Sequence, residues 1–310
     1  MSNKKKFKKG ALEISFGWLF AIIAGGVILF LAIYFSSKLI QTGTETVSAE
    51  TGKEIAVLLN PLETSFESVQ TTSITIPSET RIHNGCDLVG TFGEQFIRLD
   101  QKSFNKWIQT DVNVKTNNKY IFSNEEIEGE KFYLFSKPFN FPFKVADLIY
   151  MTSSKDRYCF INAPTEIEEE IERLKQENLL IENCSDEDIE VCFNGNCEIN
   201  VDYFERAVEK DGKRVYFEGD ALMYAAIFSE KEVYECQLKR LMWRLREISN
   251  LYQDKEIIIA EKKCENNLRL DLNELSNLAD NLENSGELII VKMKAEDIEM
   301  KNNARRCVLW

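Results

Sequence analysis

Histidine is almost missing from this chain: His83 is the only one in 310 residues. Acid–base or nucleophilic chemistry built on imidazole would rest on that one side chain, set in RIHNGC, a strand-to-turn context, where an ordinary half-exposed polar role is the plainer expectation. No GxSxG elbow, HExxH pair, Walker loop or GxGxxG turn occurs either, so the common hydrolase, metalloprotease, nucleotide and dinucleotide signatures are absent. No internal repeat is found. Charge is also absent over twenty consecutive residues, Phe16 to Phe35. A chain with these gaps declares an address more clearly than an activity.

That uncharged run follows five lysines and would span about 30 Å as a helix, the thickness of a bilayer's hydrocarbon core. It is too long for a secretory signal and is followed by Ser36-Ser37-Lys38-Leu39-Ile40 rather than a small-x-small cleavage site. Retention as a single-pass anchor through residues 16–35 is therefore expected. The lysines ahead of it orient the N-terminus to the cytoplasm and place residues from about 40 onward outside.

Cysteine is absent before and within the run, yet eight follow it: Cys86, Cys159, Cys184, Cys192, Cys197, Cys236, Cys264 and Cys307. An even set confined to the exported part predicts disulfides. Zinc is the competing explanation, and one histidine without paired CxxC knuckles serves it poorly. In DIEVCFNGNCEINV, alternating residues flank Asn194-Gly195, which predicts a two-residue hairpin pairing Cys192 with Cys197 across a non-hydrogen-bonded site. The other six cysteines allow 15 pairings, and the sequence does not choose among them.

The residues after Phe35 carry 33 basic and 50 acidic side chains, a net charge of −17. So acidic a surface disfavours nucleic acid and anionic lipid as partners. Acid pairs suited to glycoside hydrolysis are present but uninformative among 51 acids. Asn183-Cys184-Ser185 reads as an N-x-S glycosylation sequon with cysteine in the middle.

The texture along the chain predicts an α+β protein. A basic segment (1–10) and the transmembrane helix (11–40) precede a stalk or helix continuation (41–71), ended near Asn60 by Pro61. Residues 72–162 alternate short β-prone runs with Asn, Gly and Pro and read as a mostly antiparallel β part. Within it, the two prolines of Lys137 to Lys144 point to a loop or sheet edge, whose phenylalanines either form a binding surface or plug the core. Residues 163–228 read as mixed α and β, with Thr165 and Asp220 as helix caps and GDALMYAAIF as a buried helix. Residues 229–310 read as helical. Tyr234, Leu238, Leu241, Leu245, Ile248 and Tyr252 recur at helical spacing, and so do Leu268, Leu272, Leu275 and Leu282; together they predict a hairpin or bundle. Residues 287–304 fit a third helix, with a strand LIIVKM as the alternative.

The opening KKFKKGALEISFGW resembles the class III signal of type IV pilin-like precursors, in which a basic stretch ending in Lys-Gly or Arg-Gly precedes a long apolar assembly helix. By that resemblance a membrane peptidase would cut between Gly10 and Ala11, and Glu13 would stand third after the cut where better-known pilins carry an acid at the fifth position. The whole chain also resembles single-pass surface proteins of archaea. The expectation is a membrane-anchored extracytoplasmic structural or interaction protein, with the helix packing on copies of itself through Ala21, Gly25 and Gly26. An anchored carboxylate-dependent hydrolase and a solute-binding ectodomain presenting the aromatic loop are the opposing expectations. No cofactor, metal ligand set or small-molecule ligand is indicated.

Overall fold

The computed structural model describes residues 16–58, 70–103, 106–109, 113–264 and 266–310. The chain divides into two units, Met1–Val47 and Ser48–Trp310. In the first, helix α1 (Phe16–Leu58) carries the uncharged run. Its stretch Gly17–Lys38 is wholly unburied, with a mean hydropathy of 2.5, and at 22 residues it is long enough to cross a bilayer. Soluble helices seldom leave Trp18, Phe20, Ile28 and Phe30 all bare.

The second unit joins α-helices and β-strands around one large core and one smaller core. Its first sheet contains β1 (Gln70–Asp87), β2 (Glu94–Ser103), β3 (Lys106–Ile108), β4 (Asn113–Thr116), β5 (Tyr120–Phe122), β6 (Glu126–Asn140) and β7 (Lys144–Ser153). The order is β3-β2-β1-β6-β7-β5 with β4 beside β2, antiparallel throughout except for β5 on β7. Side chains alternate between two buried faces. Tyr120, Phe122, Phe135, Leu148 and Tyr150 enter the larger core, while Ile121, Leu134, Ile149 and Met151 join Ile82, Ile97 and Leu99 in the smaller one.

Two irregularities curl this sheet. The ladder between β1 and β6 slips between Thr75 and Thr80, where Pro77 has no N–H to offer. At the far edge, the fully buried Gln95 of β2 replaces a missing neighbour strand. Its Oε1 accepts the Ile121 N–H at 2.8 Å and its Nε2 donates to the Ile121 carbonyl at 3.0 Å. Asn84 Nδ2 donates to the same carbonyl at 3.1 Å. One side-chain amide thus satisfies the β5 backbone that a buried edge would otherwise leave unpaired.

The second sheet contains β8 (Tyr158–Ile161), β9 (Leu179–Ile181), β10 (Ile189–Phe193), β11 (Ile199–Asp202), β12 (Ala207–Lys210) and β13 (Lys213–Tyr216), in the order β13-β12-β11-β10-β8-β9. Helix α2 (Thr165–Leu174) forms the crossover between the parallel strands β8 and β9. Strand β8 therefore belongs with the mixed middle of the chain and not with the antiparallel part before it.

The expected hairpin at Asn194-Gly195 is corrected here, because β10 and β11 run parallel. Only Asn194 adopts a positive φ, at 58°, whereas a type I′ turn needs both central residues there. The chain makes that turn at Asp211-Gly212, with φ of 53° and 68°, between antiparallel β12 and β13. The two expected caps are also shifted. Pro164 and Gly219 occupy the N-cap positions, so Thr165 and Asp220 are the first helical residues of α2 and of α3 (Asp220–Phe228), and neither side chain caps its helix.

Every residue of α3 after Asp220 is buried, at about 1.5–3 kcal/mol for each large apolar side chain. Helices α4 (Lys231–Ala260), α5 (Arg269–Asn281) and α6 (Leu288–Asn303) complete the fold. The stripe Tyr234, Leu238, Leu241 and Leu245 packs into the same core as Leu272, Leu275, Ala279, Val291 and Ile298. These helices are therefore part of the second unit's large core and not an independent coiled coil, and residues 288–303 form a helix rather than the alternative strand.

One buried charge ties α4 to the first sheet. Arg240 has no solvent exposure; its Nε donates to the Phe92 carbonyl at 3.1 Å, Nη1 to that of Lys119 at 3.0 Å, and Nη2 to that of Asn117 at 3.1 Å. Nη1 also donates to Gln237 Oε1 at 2.6 Å, and the guanidinium lies 4.9 Å from the Tyr120 ring centre. Burial pushes its pKa down, while the ring of carbonyl dipoles and the aromatic face compensate the charge. Gly93, at φ +63°, must stay bare, since a Cβ there would stand 2.7 Å from Arg240 Cγ. Replacing Arg240 by Ala should cost about 3–5 kcal/mol of unfolding free energy in denaturant titration of the oxidised protein, because several buried acceptors lose their donor together. Arg240→Lys should fall between Ala and wild type, as one ammonium cannot reach all of those carbonyls.

Candidate functional site

All eight cysteines are paired. The bridges are Cys86–Cys236, Cys159–Cys184, Cys192–Cys197 and Cys264–Cys307, with Cα separations of 6.1, 5.6, 5.7 and 5.7 Å. Cys86–Cys236 joins the end of β1 to α4 one turn before Arg240. In Cys192–Cys197, Cys197 lies in the connection between β10 and β11 instead of on a facing strand. Glu190 lies close to these two sulfurs, but the bridge removes the thiolates a metal would need. Four closed disulfides fit an oxidising, extracytoplasmic environment.

His83 sits on the polar side of β1, within a lattice of charges that period-two alternation places on three neighbouring strands. Its Nε2 lies 2.7 Å from Oδ2 of buried Asp100 and its Nδ1 3.5 Å from Glu126. Arg81 holds Glu126 at 2.8 Å and Glu128 at 3.2 Å, and stacks 4.3 Å from the Trp107 ring centre. Arg98 approaches Asp100 at 3.4 Å. Further along, Glu79 is held by Lys102 at 2.6 Å and by Lys155, which also reaches Glu128 at 2.8 Å. Hydrogen bonds from Lys102 and Lys155 hold the Glu79 carboxyl at about 2.

An open groove of about 430 Å³ runs beside His83, bounded by Arg98, Glu125, Glu126, Glu232 and the Cys86–Cys236 bridge. Its floor needs glycine at position 85, because a Cβ there would fall 1.9 Å from the Phe96 ring. No serine or threonine lines it, and its two cysteines are bonded to each other. Among its carboxylates, Glu126 is occupied by Arg81. The groove can receive a polar or cationic group, while the charge lattice joins three strands of the first sheet.

The aromatic stretch Lys137 to Lys144 plugs the core. Phe139, Phe141 and Phe143 are buried; Phe139 stacks on Phe141, and Phe143 packs against Tyr252 and Trp310 with ring centres 4.7 and 5.2 Å away. Among the described residues the β1 pairing ends at Ser136, so none of them asks for the N–H that Pro138 lacks. The binding surface expected as an alternative is thus occupied by packing. Asn183 is exposed at φ 52°, with Cys184 bridged to Cys159. Ala21, Gly25 and Gly26 lie on the bare surface of α1, and nothing approaches within 4 Å of where a Cβ would stand at either glycine. Gly10 and Ala11 fall outside the described residues.

Arg240 and the very exposed Phe204, 94% accessible, are the two side chains that sequence reasoning passes over. Arg240 falls between apolar positions of α4 and reads as solvent-facing, and Phe204 reads as one more aromatic in a β-rich segment. No family model, curated protein or solved structure matches this chain, and its function has to be read from its own residues.

Because Glu79 binds its proton less readily folded than unfolded, its ion pairs stabilise the fold above the ordinary carboxylate range and are lost as pH falls through about 2. Glu79→Gln should therefore melt below wild type at pH 7, and the difference in Tm should close between pH 5 and 2. A difference that stays constant over that range would contradict the assignment.

Proposed function

We propose that this chain is a membrane-anchored structural protein of the cell envelope, assembled from copies of itself in the manner of a pilin-like subunit. The observation that carries the proposal is the bare apolar stretch Gly17–Lys38 within one 43-residue helix, on a chain whose body is closed by four disulfides around filled cores. The five lysines before Gly10 favour a cytoplasmic N-terminus, and the bridged cysteines favour an outer location for the body. Ala21 and Gly25, one turn apart, leave a shallow face on α1 where a second helix can approach closely through van der Waals packing. A filled core with open grooves is what a building block needs, and a hydrolase reading draws on nothing here beyond the carboxylates beside His83.

The resemblance of KKFKKGALEISFGW to a class III signal makes the processing explicit. Intact-mass measurement of the protein from its native membrane should give a chain lacking residues 1–10 and beginning at Ala11, with a gain of two hydrogens per bridge on reduction. A full-length chain beginning at Met1 or Ser2 would reduce the protein to a plain signal-anchored one.

A further inference from the structure

A chain assembling from its own copies needs a contact outside the membrane as well, and the ectodomain carries both halves of one. Phe204 stands at the tip between β11 and β12, 94% exposed. That tip is braced. Asp202 Oδ1 accepts the backbone N–H groups of Phe204 at 3.1 Å and Glu205 at 2.8 Å, while Tyr203 packs toward Phe193 and Phe217 at ring separations of 6.3 and 6.4 Å. Arg206, at φ 54°, closes the turn through an ion pair with Glu218. A large aromatic carried outward on a braced turn gains little for the monomer, and aromatic side chains are the usual anchors of an interface.

The complementary half is a groove of about 580 Å³ beside α4, lined almost wholly by apolar surface from Phe92, Ile248 and Leu251 and bordered by Arg244, Glu247 and Asn117. Arg240 holds the carbonyls of Phe92 and Asn117, so the wall is fixed before anything binds and little ordering cost remains for a partner. Charge matches across the pair. At the Phe204 tip Arg206 is matched by Glu218, which leaves Asp202 and Glu205 against Arg214; at the groove Glu247 is matched by Arg246, and Arg244 faces the Tyr120 ring with no carboxylate within ion-pair distance among the described residues. Two copies of so acidic an ectodomain repel each other generally, and a local acid-to-arginine match offsets that where they touch.

We infer that Phe204 of one copy seats in the Leu251 groove of the next, with Asp202 and Glu205 beside Arg244. The inference rests on the assembly reading and adds a surface to it. Because knob and groove are different patches, the contact is heterologous and leaves a free knob and a free groove at the ends of every chain of copies, as a growing filament requires.

The test uses the full chain in its native membrane, with Phe204 replaced by the photoreactive analogue p-benzoylphenylalanine. Irradiation should give a ladder extending beyond two copies, with cross-linked peptides containing Phe92 or residues 244–251. Leu251→Asp, at an exposed position, and Arg244→Glu, checked for an unchanged melting temperature because Arg244 lies on the Tyr120 ring, should each lower the adduct about tenfold, the scale of losing one anchoring contact. Adducts that map elsewhere on the chain, to lipid or to another protein, or no adduct at all, would overturn the inference. A parallel Gly25→Cys chain separates the two levels. If it forms a disulfide-linked dimer while position 204 gives no adduct, lateral assembly stands and this contact falls; if neither links, both fall.

Discussion

A guanidinium without solvent is the constraint around which the second unit is organised. Arg240 is held by backbone carbonyls from Phe92, Lys119 and Asn117, together with the Gln237 amide, and those carbonyls belong to the connection before β2 and the one between β4 and β5. A buried charge with that many fixed acceptors tolerates one arrangement of its surroundings, since any slip of α4 would strand the cation and its acceptors together. The Cys86–Cys236 bridge, one turn away, holds the same junction covalently. Gln95, closing the sheet onto Ile121, and the bare Gly93 beside Arg240 both serve the same arrangement.

What could be read from the amino acids was what repeats locally. The long apolar N-terminal helix, the buried α3 and the long stripe of α4 are set by composition or by 3.6-residue spacing over many positions, and the structure has all three as expected. Long-range geometry was hidden. Nothing near Asn194-Gly195 announces that β10 and β11 run parallel; the turn chemistry that does fold back lies at Asp211-Gly212, where both residues adopt positive φ. Helix caps missed by one residue because Pro164 and Gly219 take the bend themselves. Arg240 was invisible for a deeper reason: an arginine among leucines reads as solvent-facing, and only the folded chain reveals carbonyls waiting on the other side.

The candidate site was legible in the same partial way. His83 stood out by rarity, but its partners come from β2 and β6, far along the chain, and the alternation that brings Asp100 and Glu126 to it also supplies the arginines that neutralise them. The constellation is a charge lattice joining strands more than a catalytic centre. The aromatic stretch was correctly suspected of plugging the core, because Phe139, Phe141 and Phe143 alternate with residues that the sheet edge can spare. The proposed function draws on other features: a bare apolar helix near the N-terminus, and on the body an exposed phenylalanine and an apolar groove.

The central claim is that the body of the protein lies outside the membrane. Labelling intact cells with a membrane-impermeant amine reagent, followed by peptide mapping, tests it on the unmodified protein. The account predicts labels on exposed ectodomain lysines such as Lys115 and Lys213 while the cells are still intact. Ectodomain lysines that react only after the cells are broken would contradict it.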